Sequence, residues 1–201
     1  MKMHGLALAG GLLVCSLLVP SASYATEKYL PSVEVNAPPK VSLASYDRVE
    51  FAPVTMKAPF EGQKPNVAAR ERIQEAFSNR TAPFMAALNA RQAKADPAST
   101  LLIEPSIEKI KFIGTGARIW AGAFAGSSQI LMRMKISDKA TGEIIAEPEF
   151  YQRANGWGGA YSMGRTDNDM LGRITDLMTT YLSENLESTV GGRTGAEGLK
   201  D

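Results

Sequence analysis

The chain has 201 residues, 44% of them hydrophobic and 21% charged, with a formal net charge of +1, one Cys and one His. Charges this evenly matched provide neither the basic excess that gathers nucleic acid nor an acidic tract for storing cations. Lys2, His4 and Cys15 all lie in residues 1–25, so the remaining chain balances 21 Lys and Arg against 21 Asp and Glu with no His or Cys. That remainder excludes a disulfide, a His-dependent serine triad, a cysteine nucleophile and a zinc site of nitrogen and sulfur ligands.

Lys2, the uncharged stretch Gly5 to Val19, and the small residues Ser23 and Ala25 form the pattern of a secretory signal cut after Ala25. An apolar run of about 15 residues is short for a bilayer span of roughly 20. Cys15 suggests the rival cut of a lipoprotein, but Val14 stands before it where that cut takes a small residue, and Leu17, Leu18 and Val19 continue the apolar run. The expected product is a periplasmic or secreted bacterial protein starting at Thr26.

Residues 26–45 hold Pro31, Pro38 and Pro39 with little periodicity and read as an extended linker. A single domain is expected over 46–188. It opens with a strand through Val49 and Phe51 that stops near Pro53. Asn66 is the expected N-cap of a helix with Val67, Ile73, Ala76 and Phe77 inward. Thr81 is the expected cap of a second segment past Pro83, carrying Phe84, Met85 and Leu88, so that a helical hairpin or one kinked helix results. Along Thr100 to Ile113 the apolar residues Leu101, Ile103 and Ile107 share one parity and Ile110 and Phe112 the other, which predicts a bulge; Pro105 suggests an edge strand. Ser128 to Asp138 alternates clearly, with Ile130, Met132, Met134 and Ile136 on one side. A turn at Asp138–Gly142, with Gly142 at positive φ, returns the chain as a strand over Glu143 to Ala154. Asn155 to Arg165 is a glycine-rich loop. A last helix is capped at Thr166 and buries Met170, Ile174, Leu177, Met178, Tyr181 and Leu182. Residues 189–201 are expected to be a disordered tail. The order of elements predicts an α+β two-layer sandwich, a mainly antiparallel sheet of about four strands with amphipathic helices on one face.

The glycine-rich stretch Gly114 to Ser128 runs into a strand rather than a helix and has no following Gly-Lys-Ser/Thr, which argues against a phosphate cradle and for a bent strand entry. Its apolar piece Ile119 to Ala125 is shorter than the 9–11 residues of a membrane-spanning strand. Ser106 and Lys109 have the Ser-x-x-Lys spacing of penicillin-recognising enzymes, but they fall in a strand, on opposite faces by simple alternation. Glu147 and Glu149 project from one face and have the spacing of a carboxylate pair, the basis of an alternative reading as a hydrolase. Tyr151, Trp157 and Tyr161 gather with Arg153 around the second glycine-rich segment, and Trp120 and Phe124 stand in the first. Aromatic residues with arginine are what protein-binding surfaces use, although Trp157 folded over the sheet edge would explain the pattern as well.

The YDRVEFAPV start, the GARIWAGAFAGSS segment entering a strand, the Asp138-Lys139-Ala140-Thr141-Gly142-Glu143 turn and the closing helix resemble the bacterial envelope proteins of domain of unknown function 4410. The uncharacterised lipoprotein family 3313 shares the strand and the turn. The resemblance implies an exported, often lipidated domain with no catalytic residue to carry over. The expectation is a non-catalytic envelope domain that binds a protein partner and takes no cofactor, metal or nucleic acid. The contact residues are Trp120, Phe124, Tyr151, Arg153, Trp157 and Tyr161; the alternative is a subunit that assembles through its own sheet edge or a membrane hairpin.

Overall fold

A computed structural model describes residues 29–93, 99–113, 127–154 and 165–199, with only the backbone at 165 and 166. Its elements are β1 (Val35–Asn36), β2 (Arg48–Phe51), β3 (Thr55–Met56), α1 (Lys64–Asn89), β4 (Thr100–Lys111), β5 (Gln129–Asp138), β6 (Ile144–Ala146), β7 (Glu149–Arg153), α2 (Arg165–Glu184) and β8 (Gly192–Arg193). They form the α+β two-layer sandwich. The main sheet has four positions across, because β2 and β3 share one flank of β4, and β6 and β7 share one flank of β5. The sheet is mixed: β2 and β3 run parallel to β4, while β4, β5, β6 and β7 pair antiparallel. The parallel pairs arise because α1 lies between β3 and β4 as a crossover.

The core lies between the sheet and the helices. Ile130, Met132, Met134 and Ile136 of β5 are fully buried with Leu101, Ile103 and Ile107 of β4. Facing them are Ile73, Phe77 and Leu88 of α1 and Met170, Ile174, Met178 and Tyr181 of α2, at the three- and four-residue steps of one helix face. Edge-to-face ring pairs join Phe51 to Phe77 at 5.5 Å and Phe150 to Tyr181 at 6.0 Å. The phase change in β4 is a bulge: Ile107 pairs Met132 and Lys109 pairs Leu131, so the extra residue Glu108 returns Ile110 to the core opposite Ile130. The Asp138 turn forms as expected, with Gly142 at φ +73° and the Asp138 carboxylate accepting the N–H groups of Ala140 and Thr141. These bonds, Thr141's first, hold the Asp138 carboxyl below its ordinary pKa.

Several expectations are corrected. α1 starts at Lys64 after Gln63, with Pro65 in its first turn, where a missing N–H costs nothing. Asn66 therefore lies inside the helix, its side chain donating to the Phe60 carbonyl. Thr81 caps nothing: α1 runs unbroken past Pro83, and the Thr81 hydroxyl donates back to the Phe77 carbonyl. Likewise α2 begins at Arg165, one residue before Thr166. β4 is an inner strand despite Pro105. Its flank there is shared out, β2 ending opposite Ile103 and β3 starting opposite Ser106, so proline's missing donor falls in the gap between them. The return strand is broken at Glu147-Pro148 into β6 and β7.

The linker and tail are the largest departure. Leu43 is fully buried in a short 3-10 turn, and β1 pairs antiparallel with β8 from the supposed tail. Asn185 holds the tail by accepting from Val190 and Gly191 N–H and donating to the Gly191 carbonyl. The Tyr181 hydroxyl reaches the Ala37 carbonyl, and burial raises its pKa to about 12. Gly191 adopts φ +78°, and a Cβ there would stand 2.4 Å from the Asn36 carbonyl oxygen.

Candidate functional site

The ends of three strands lie side by side. Lys111 of β4 pairs Gln129 of β5, and Gln129 pairs Arg153 of β7. The two glycine-rich segments, 114–126 and 155–164, therefore leave the sheet at one end. α2 runs antiparallel to β7, since Tyr181 meets Phe150 while Arg173 donates to the Gln152 side chain and the Arg153 carbonyl. Arg165 lies eight residues before Arg173, about 12 Å along a helix axis, which brings the return of the second segment to the same end.

Ser128 is fully buried at this junction. Its hydroxyl oxygen accepts the Ile113 N–H at 3.0 Å and its carbonyl accepts the Ala154 N–H at 2.9 Å. One residue thus ties the last described residue before each glycine-rich segment. The sequence shows Ser128 only as a small polar residue at a strand entry, with no signal for the donor its hydroxyl meets.

Of the six expected contact residues, Trp120, Phe124, Trp157 and Tyr161 lie outside the described residues. Arg153 is exposed at the junction. Tyr151 is not exposed: it points away from the helices beside Leu131, its hydroxyl donating to Gln129, and both are buried. Burial raises the Tyr151 pKa, with Arg153 pulling the other way. Tyr151 and Leu131 make a small apolar spot on the outer sheet face, in the same row as Lys109, whose ammonium stands 6.0 Å from the Tyr29 ring centroid. The N-terminal segment thus crosses the outer face, a placement that alternation within β7 does not reveal.

The two carboxylates do not form the expected pair. The break at Pro148 leaves Glu147 exposed, while Glu149 is buried and bonded to Arg133 at 2.8 Å and to the Ser32 N–H at 2.5 Å. Burial pushes the Glu149 pKa up, but the bonds from Ser32 and Arg133 outweigh it and hold the carboxyl below the ordinary value. Ionised and already bonded, Glu149 is poorly placed to donate a proton. A cleft of about 270 Å³ between the N-terminal segment and β6–β7 is lined by Ser32, Asn36, Pro38, Arg133, Glu147 and Glu149. The β4 bulge also brings Ser106 and Lys109 onto the same face rather than opposite ones, as their partners Arg133 and Leu131 show. The Ser106 hydroxyl nevertheless donates to Glu108. Among the described residues, no helix is long and apolar enough to cross a membrane.

No family model matches the chain, and no curated protein does; the likeness to domain family 4410 stays a resemblance of motifs. Solved structures show distant likeness. The PelC dodecamer from Paraburkholderia phytofirmans is 10% identical over 76% of this chain and 94% of its own, with a TM-score of 0.36. A Xanthomonas campestris protein of domain-of-unknown-function family 330 is 9% identical over 78% and 92%, at 0.38. A minor lipoprotein from Acinetobacter baumannii is 7% identical over 73% and 99%, at 0.34. At such identities and scores these likenesses say nothing about activity.

Proposed function

We propose that the chain is an exported, non-catalytic domain of the bacterial envelope that binds a protein partner at the end of the sheet where the two glycine-rich segments are rooted. Its contact groups are Trp120, Phe124, Arg153, Trp157 and Tyr161, with Tyr151 buried in the sheet two residues before Arg153. The observation that carries this reading is the row Lys111, Gln129 and Arg153. It roots both segments at one end of the sheet, and in the sequence each segment contains one of the chain's two tryptophans. Aromatic anchors beside an arginine suit a protein surface rather than a phosphate or a metal. Cleavage after Ala25 would leave Thr26 three residues ahead of Tyr29, so the mature chain would keep the whole segment that crosses the outer face.

Assembly through an open sheet edge has less support, because the described edges are largely occupied. The Asn89 side chain donates to the Val49 carbonyl and accepts its N–H at one edge, and the Asn36 side chain does the same for Glu149 at the other.

The test is capture from a native envelope extract by the mature chain. Trp157→Ala is expected to lose most of the captured partner while its thermal midpoint stays within about 2 °C of wild type. Unfolding of the variant, or undiminished capture, would remove Trp157 from the binding surface. Mass spectrometry of the mature N-terminus checks the export reading: Thr26 supports it, and a lipid-modified Cys15 replaces it with an anchored form.

A further inference from the structure

We propose that Ser128 is a positioning residue that couples the two glycine-rich segments, so that a disturbance at the root of one is transmitted to the root of the other. The proposal rests on the reading of this end of the sheet as the binding end and adds how that end responds.

Three chain ends meet at Ser128: Ile113 before the first segment, Ser127 after it, and Ala154 before the second. The bond from Ala154 to the Ser128 carbonyl continues the β5–β7 ladder beyond the Gln129–Arg153 pair. The bond from Ile113 is of another kind. The β4–β5 register ends at Lys111 and Gln129, so the Ile113 N–H is met by a side chain, the Ser128 hydroxyl. Both bonds hang on one fully buried residue. A shift of Ser128 that lengthens one bond therefore moves the other acceptor as well. Alanine, valine or leucine would supply the carbonyl but not the oxygen that reaches Ile113.

Ser128→Ala separates coupling from a merely local bond, because it deletes only the hydroxyl and leaves the Ala154 acceptor in place. A local role loosens Ile113 alone. Coupling loosens Ala154 too. Amide exchange followed residue by residue by NMR is expected to show protection falling about tenfold at both Ile113 and Ala154, with Ile103 in mid-β4 unchanged. Ala154 exchange within about twofold of wild type would overturn the proposal. Should Ser128→Ala fail to fold, Ile113→Pro removes the same bond from the donor side with Ser128 intact, and the same loss at Ala154 is expected. As a second readout, in a Trp120→Phe background Trp157 is the one remaining tryptophan and reports from the segment that Ser128→Ala does not directly untie. Its acrylamide quenching is expected to rise, and identical quenching with and without Ser128→Ala would refute the coupling. Loss of capture in Trp157→Ala with Ala154 exchange unmoved in Ser128→Ala keeps the binding end and discards the coupling. Coupled exchange with undiminished capture in Trp157→Ala does the reverse.

Discussion

Replacing Asn36 with alanine tests how the β7 edge is closed. The Asn36 side chain is buried and makes three hydrogen bonds: to the Glu149 carbonyl at 2.8 Å, to the Arg193 carbonyl at 3.2 Å, and from the Glu149 N–H at 2.8 Å. A side-chain amide carries the same donor and acceptor as a peptide group, so Asn36 satisfies both outward groups of Glu149 as a neighbouring strand would. In Asn36→Ala those two groups lose their partners inside the fold. A buried unsatisfied group costs about 1–3 kcal/mol, and water entering the space left by the side chain offsets part of this, so about 2–4 kcal/mol is expected in all. For a domain of this size that corresponds to a fall of about 5–15 °C in Tm. Urea and thermal unfolding followed by circular dichroism measure it. Val35→Thr, one residue away on the exposed side, is the control and is expected to change stability by less than about 0.5 kcal/mol. A loss below about 0.5 kcal/mol in Asn36→Ala, or an equal loss in Val35→Thr, refutes the idea that the amide closes the edge.

Two further outcomes follow from the same region. Glu149 has a folded-state pKa below its ordinary value of 4.5, so its contribution is complete above that value and lost as pH falls through the lower folded one. Glu149→Gln is expected to cost about 1–3 kcal/mol at neutral pH, less than a fully buried pair because Arg133 is partly solvated, and to lose less stability than wild type between about pH 5 and pH 3; parallel pH profiles in urea would contradict the assignment. Gly191→Ala is expected to cost at least about 2 kcal/mol, combining a left-handed backbone with the close Asn36 carbonyl, whereas Gly142→Ala, at φ +73° with open space around it, costs only the backbone share of about 1 kcal/mol. Equal losses at the two glycines, measured by denaturant midpoints, would show that the close approach at Gly191 adds nothing.

What the sequence discloses here is what repeats at short range. The parity change from Ile107 to Ile110 announces the bulge, the alternation of β5 fixes its core face, and Asp138 with Gly142 announces the turn, because each depends on neighbours a few residues away. What it conceals depends on distant polar partners. Asn36 and Glu149 are 113 positions apart, and Thr194 and Glu34 are 160 apart, so nothing in the composition of residues 26–45 or 189–201 separates an edge cover from a loose end. Asn66 and Thr81 misled for a related reason. Both residue types favour caps, but Pro65 fixed the start of α1 two residues ahead of Asn66, and the buried Thr81 hydroxyl found the Phe77 carbonyl inside the helix. In the sequence the aromatics and Arg153 are visible as a cluster around the glycine-rich segments, whereas Ser128 draws its meaning from two N–H groups just past the ends of β4 and β7.

The two edges of the sheet follow one solution, and it bears on where a partner can bind. Asn89 closes Val49 on the β2 side as Asn36 closes Glu149 on the β7 side. Beyond Asn36 the chain runs along β6, the Lys40 N–H donating to the Ile145 carbonyl, with Pro38 and Pro39 between them and so no N–H at either position. Side-chain amides and prolines satisfy or cover an edge without offering a further strand a full ladder. The outer face is engaged as well: cross-strand ion pairs join Glu104 to Lys135 and Arg133 to Glu149, Lys139 of the turn after β5 pairs Glu50 of β2, and the N-terminal segment lies over part of it. With the described edges largely occupied and much of the described outer face paired, the proposed binding end has more support than strand addition or face-to-face stacking. The end of the sheet is a different kind of place, since there the chain leaves the ladder twice, from the two strands that flank β5, and segments that connect strands and helices are where binding groups concentrate.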